Sequence, residues 1–152
     1  MPQIPITIIV RHSRENPRKC SILSLKGRTD VRIVPYPATA LPSLSGYVRL
    51  AAEGPELSLA DCGCGILLLD GSWRAAGRMT AQFDAVPPRS LHGWKTAYPR
   101  VSKQGTDPDN GLASIEALYV AYYLLRRPTE GLLDHYHWAA QFLELNKAAF
   151  TV

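Results

Sequence analysis

The stretch Leu69-Asp70-Gly71-Ser72-Trp73 holds residue types suited to chemistry at the end of a strand. Asp70 follows the apolar run Ile66-Leu67-Leu68-Leu69. A carboxylate at the C-terminal end of a buried strand lies where open α/β sheets bind ligands. There it can accept a proton or pair with a cation. Gly71 permits a tight turn, and the helical pattern after it presents unpaired N–H groups, which attract anionic groups such as carboxylates. Trp73 adds a flat apolar wall with a π face for a cation. The competing reading is structural: Asp70 an N-cap and Trp73 a core residue.

Other reactive residues are less well spaced. Asp61-Cys62-Gly63-Cys64-Gly65 precedes a strand, whereas a phosphate loop follows one. Cys62 and Cys64 lack the CxxC spacing, and with Cys20 and His12 they form a poor zinc set, so no metal is expected. His135 and His137 are two residues apart, unlike the i, i+4 pair of a zinc helix. Neither GxSxG nor a P-loop occurs, which argues against a serine hydrolase or an NTPase.

The elements that must position Asp70 follow from periodicity. Ile4, Ile6, Ile8 and Val10, with Ile9, predict a buried first strand. Arg18 to Lys26 reads as a short helix ended by Gly27, and Val31 to Val34 as a second strand. Pro35 to Ser45 reads as an irregular connection, since proline removes ladder donors. Tyr47 to Ala51 is a third strand and Ile66 to Leu69 a central one covered on both faces. A helix is predicted through Arg78 to about Phe83, and a last short strand over Tyr98 to Ser102. Two helices close the chain. Ile115, Leu118, Tyr119, Tyr122 and Leu125 share one face of the first; Leu133, Tyr136, Ala140 and Leu143 share one face of the second. Arg126-Arg127 suits the helix dipole at the end of the first, and Pro128 stops it. Strands alternating with helices predict an α/β fold with a mainly parallel sheet.

Composition bounds the rest. With 152 residues, 46% hydrophobic and 20% charged, the chain fits one globular domain. The nine apolar residues from Ala117 to Leu125 fall short of the ~20 of a membrane helix. No basic residue precedes the apolar N-terminal run, so no secretory leader is expected. Three cysteines do not make a disulfide framework, and the chain reads as reduced and cytoplasmic. The net charge of +4 is concentrated: residues 1–35 carry seven Lys and Arg against two acids, and residues 71–105 six against one. Brought together, the two blocks would form a phosphate-attracting face; apart, they are two solvated surfaces.

The residues resemble a family. Asp70-Gly71-Ser72-Trp73-Arg74, Tyr98-Pro99-Arg100-Val101 and Leu112-Ala113-Ser114-Ile115-Glu116-Ala117 follow the motif order of the aminocarboxypropyltransferases. One branch modifies a pseudouridine of small-subunit rRNA in ribosome biogenesis; the other, the DTW-domain group, modifies a tRNA uridine. Leu132 to Asn146, with Trp138 and Phe142-Leu143-Glu144-Leu145-Asn146, is similar to the rRNA branch. So are Asn16-Pro17-Arg18-Lys19-Cys20-Ser21 and Leu57-Ser58-Leu59-Ala60-Asp61. Gly71 is similar to the DTW branch, where the rRNA branch usually has Cys. Two further departures are a loop before Leu112 shorter than the family's and Ala113-x-x-Glu116 in place of a Ser-x-x-Glu capping box.

The resemblance implies a SPOUT-like fold with a deep trefoil knot in the C-terminal part. It divides one domain, 1–152, into a basic N-terminal part (1–55) and a cofactor-binding part (56–152). It implies S-adenosylmethionine (SAM) as donor, RNA as partner and, weakly, a monomer, with no membrane contact. By position, Ser21 lies near the aminocarboxypropyl end and the Leu69 backbone at the ribose. Trp73 lies along the methionine chain, and Ala97, Tyr98, Leu112 and Ala113 lie in loops that hold the adenine mostly through backbone groups. Asp70 stands where the candidate general base lies. Arg11, Arg14, Arg18, Lys19, Arg74 and Arg78 are the expected RNA-facing set. The expected reaction moves the 3-amino-3-carboxypropyl group to N3 of a uridine or pseudouridine, with small-subunit rRNA favoured by the longer C-terminal match. The alternatives are a tRNA uridine substrate, a SPOUT methyltransferase using the same pocket, and a non-catalytic assembly factor.

Overall fold

A computed structural model describes residues 4–12, 21–37, 41–70, 73–98 and 112–150, the side chains at 21 and 73–76 excepted. Five strands form one sheet: β1 (Thr7–His12), β2 (Val31–Tyr36), β3 (Tyr47–Leu50), β4 (Gly65–Asp70) and β5 (Pro88–Arg89). Their order is β2-β1-β4-β3-β5, and every pairing is parallel. Strands from both 1–55 and 56–152 therefore interleave in a single sheet. Four α-helices are described: α1 (Trp73–Gln82), α2 (Ser114–Leu124), α3 (Ala139–Leu145) and α4 (Lys147–Phe150). Among the described residues, no helix is long and apolar enough to cross a membrane.

β4 lies between β1 and β3, as its unbroken apolar run predicts. Its side chains alternate between two cores. Ile66 and Leu68 join Ile9, Val48, Leu118 and Tyr122 under α2, while Leu67 joins Ile8, Val10, Met79 and Phe83 under α1. The 3₁₀ helix Ser21–Gly27 adds Ile22 and Leu25 to the α2 side. Thr7 and Tyr122 bond across that core at 2.7 Å.

Several predicted boundaries move, each for a physical reason. β1 starts at Thr7, not Ile4; Ile4 and Ile6 remain 48% and 40% exposed. Pairing begins where β2 becomes available, Thr7 N–H donating to the Asp30 carbonyl at 2.8 Å. β2 runs two residues past Val34, because Pro35 sits on an edge strand where a missing donor costs nothing. The two-residue β5 went unforeseen in Pro87-Pro88-Arg89. Its prolines accept without donating: the Pro87 carbonyl takes Arg49 N–H at 2.8 Å. Tyr98 lies in a bend, not a strand, and 99–102 fall outside the described residues. The last predicted helix is shorter than its periodicity. Leu133 and Tyr136 are buried from turns, α3 begins only at Ala139, and Leu143 faces solvent.

Two arginines lock loops to the sheet. Arg89 donates to both carboxylate oxygens of buried Asp61 at 3.2 Å, while Asp61 and Ser58 cap the 3₁₀ turn Leu59–Asp61 reciprocally. Past α2, Arg126 turns left-handed (φ 58°), and the Arg127 guanidinium reaches the turn before β4. Its Nη2 donates to the carbonyls of Cys62, at 3.2 Å, and Cys64. Burial pulls the Arg127 pKa below the ordinary guanidinium value.

Gly65 opens β4 where a Cβ would stand 2.5 Å from the Tyr47 ring. That ring is buried, and its hydroxyl donates to the Ile6 carbonyl at 2.6 Å, so it cannot swing away freely. Gly65→Ala is expected to destabilise the fold by about 1–3 kcal/mol, as a lowered midpoint in urea unfolding.

Candidate functional site

Asp70 is the last residue of β4 and 8% exposed. α1 begins only at Trp73, so Asp70 closes the strand instead of opening the helix. Alternation places Asp70 with Ile66 and Leu68 on the α2 side of the sheet. Its register partner on β1 is half-buried Arg11, which sets a basic and an acidic residue side by side at the C-terminal rim. Leu69 turns to the α1 side, so only its backbone faces the same end as Asp70. Ser21 opens the 3₁₀ helix on the α2 side, and Trp73 is the first residue of α1. Gly71 and Ser72 lie outside the described residues, as do the side chains of Ser21, Trp73 and Arg74.

Ala97, Tyr98 and Ala113 are organised by a residue that the sequence offers only as half of a capping box, and Leu112 precedes Ala113 at the entry to α2. Glu116, on the first turn of α2, is 0% exposed. Its Oε1 accepts from Thr96 Oγ1 at 2.6 Å and from Ala113 N–H at 2.9 Å. Its Oε2 accepts from Ala97 N–H at 2.9 Å and from the Tyr136 hydroxyl at 2.8 Å. A carboxylate has about four lone-pair sites, and here four donors meet them. Ala113 offers no side-chain acceptor, so only the half of the capping box that Glu116 supplies survives. Tyr98 N–H donates to Thr96 Oγ1 at 3.0 Å. The N–H groups of Ala97, Tyr98 and Ala113 are thus committed within the protein. This narrows the backbone contacts expected of these loops: a ligand there finds those three donors taken.

Asn146, between α3 and α4, makes a second tie. Its Oδ1 accepts from Lys95 N–H at 2.8 Å, and its Nδ2 donates to the carbonyls of Lys95 at 2.9 Å and Phe142 at 2.8 Å. Next to the tied strip, Thr96 and Ala97 line an open pocket of about 610 Å³, with Ala140, Gln141, Glu144 and Leu145 of α3 opposite. That volume lies in the range of small-molecule sites. The pocket's lining is mostly apolar, with the Thr96 hydroxyl, one amide and one carboxylate among it.

The expected RNA-facing set is only partly described. Arg11 sits on the sheet rim and Arg78 is exposed on α1, which covers the opposite face from α2. Arg14, Arg18 and Lys19 lie outside the described residues. Among the described residues, no three His, Cys, Asp or Glu side chains cluster as a metal site. His12 stacks on Tyr36 with centroids 5.8 Å apart, and His137 packs against Trp138. Cys62 and Cys64 are free thiols whose carbonyls serve Arg127.

Glu116 had a readable signal, a lone acid at the third position of an apolar helix. Asn146 stood out only as the last residue of the C-terminal motif; its tie to Lys95, 51 residues away, was not readable. Asn146→Ala removes three hydrogen bonds, one buried and two part-buried. It is expected to cost about 1–3 kcal/mol and to speed hydrogen exchange at Lys95, measured against the amides of β1.

No family model matches this chain, and no curated protein does. Among solved structures, the chain is similar to the SAM-dependent rRNA:acp-transferase Tsr3 from Vulcanisaeta distributa. The TM-score is 0.72 at 21% identity, over 98% of this chain and 82% of that one. The likeness establishes a shared α/β fold built on a mainly parallel sheet.

Proposed function

We propose that this chain transfers the 3-amino-3-carboxypropyl group of SAM to N3 of a uridine or pseudouridine in RNA, small-subunit rRNA first. The observation that carries the reading is the fold shared with a SAM-dependent rRNA:acp-transferase along nearly the whole chain. The ordered motifs support it, from Asp70-Gly71-Ser72-Trp73 to Phe142-Leu143-Glu144-Leu145-Asn146. A deep trefoil knot in the C-terminal part belongs to this reading and rests on those motifs.

The residues present fit the donor. The open pocket beside Thr96 and Ala97 has a volume in the range of small-molecule sites and a mostly apolar lining against which a nucleoside could lie. Bound SAM supplies a sulfonium whose attached carbons are open to nucleophilic attack. This chain must then hold the base with N3 in line with the side-chain methylene and shield the methyl group, a task of orientation. Uracil N3 carries a proton that water removes only in weak base. The Asp70 carboxylate, at the mouth of β4, takes that proton as the N3–carbon bond forms and the carbon–sulfur bond breaks, then passes it to solvent. Burial at the strand end keeps the carboxylate from being fully hydrated. Arg11, its register neighbour, and exposed Arg78 meet RNA phosphates.

Asp70→Asn is expected to lower kcat about 10²- to 10⁴-fold and to leave SAM affinity near that of the parent chain. Donor labelled separately in the methyl and carboxyl carbons reads which group reaches small-subunit rRNA. Methyl label in the product would identify a methyltransferase instead. RNA affinity should fall steeply with salt. Arg78→Ala should reduce the slope of log K against log salt by about 0.7–0.9 in filter binding; an unchanged slope would remove Arg78 from the interface.

A further inference from the structure

We infer that Glu116 is a positioning residue that sets donor affinity through the loops it ties, without touching the donor. The inference rests on the transferase reading. Each Glu116 oxygen bridges two separate stretches of chain: Oε1 joins Thr96 to Ala113, and Oε2 joins Ala97 to Tyr136. Ala97 and Ala113 therefore stand at a separation set by the span of one carboxylate. Both belong to the set expected to hold the adenine, and Thr96 and Ala97 line the pocket. Glu116 does not line it and is fully buried.

The geometry explains why the carboxylate is needed. A glutamine fills the same space but replaces one acceptor oxygen with an NH₂ group. Turned one way, that group faces Ala113 N–H; turned the other, Ala97 N–H. The hydroxyls of Thr96 and Tyr136 can rotate to accept from it, but a backbone N–H cannot. Either orientation strands one loop and spares the other. The loss falls on the ground-state hold of the donor, so KM moves while the chemical step at Asp70 does not.

The test compares parent chain, Glu116→Gln and Tyr136→Phe for SAM affinity by calorimetry and for kcat and KM of transfer, with circular dichroism as the check of folding. Glu116→Gln is expected to raise both Kd and KM for SAM about 10- to 100-fold, with kcat within about threefold of the parent. Tyr136→Phe removes one donor and keeps the carboxylate, and should raise Kd about threefold. If Glu116→Gln does not fold, Tyr136→Phe decides. Folded variants that bind SAM as the parent does, or that lose kcat at unchanged KM, overturn the positioning role alone. A parent chain that takes up no SAM overturns the transferase reading and this inference with it.

Discussion

Removing a carboxylate from water costs several kcal/mol unless its lone pairs are met inside the protein. At Glu116 they are met from three directions, by the Thr96–Ala97 strip, the entry to α2 and the turn that carries Tyr136. These segments lie far apart in sequence, and the carboxylate is the group on which they meet. Their shape depends on the buried charge, and the charge is tolerable only because they converge on it. Asn146 extends the arrangement by pairing with both backbone groups of Lys95, as a neighbouring strand would. The candidate pocket thus has walls built by two polar side chains beneath an otherwise apolar core.

The parallel sheet supplies the other half of the site. Because β1 and β4 are neighbours and point the same way, their C-terminal ends arrive together, with Arg11 beside Asp70. Strand alternation sends Asp70 to the side that carries α2 and the Glu116 ties, and Leu69 to the side that carries α1. A buried carboxylate and a ligand-sized pocket thereby fall on one face of one sheet. The rim is kept apart from the sheet's other end, where Arg127 binds the turn before β4 and Tyr47 packs over Gly65.

Local periodicity reported burial well and element type less well. The run Ile66 to Leu69 could only be a covered strand, and it is the central one. The apolar spacing of Leu133, Tyr136 and Ala140 looked helical, but turns can bury Leu133 and Tyr136 as well as a helix does. Ile4 and Ile6 alternate as a strand should, yet among the described residues no strand pairs with them. β5 hides in prolines because an edge strand tolerates proline where the missing N–H would face away from the sheet.

The amino-acid sequence by itself determined the α/β class, the buried central strand, the acidic residue at its end and the apolar helix after residue 113. Each of these is written in neighbouring residues through side-chain period and turn chemistry. Only the tertiary structure decided which groups Glu116, Asn146 and Arg127 satisfy, because their partners are backbone atoms far away in sequence. Any residue has such atoms to offer, so no residue type announces them. The fold must first bring the loops together before a buried polar side chain can show what it holds.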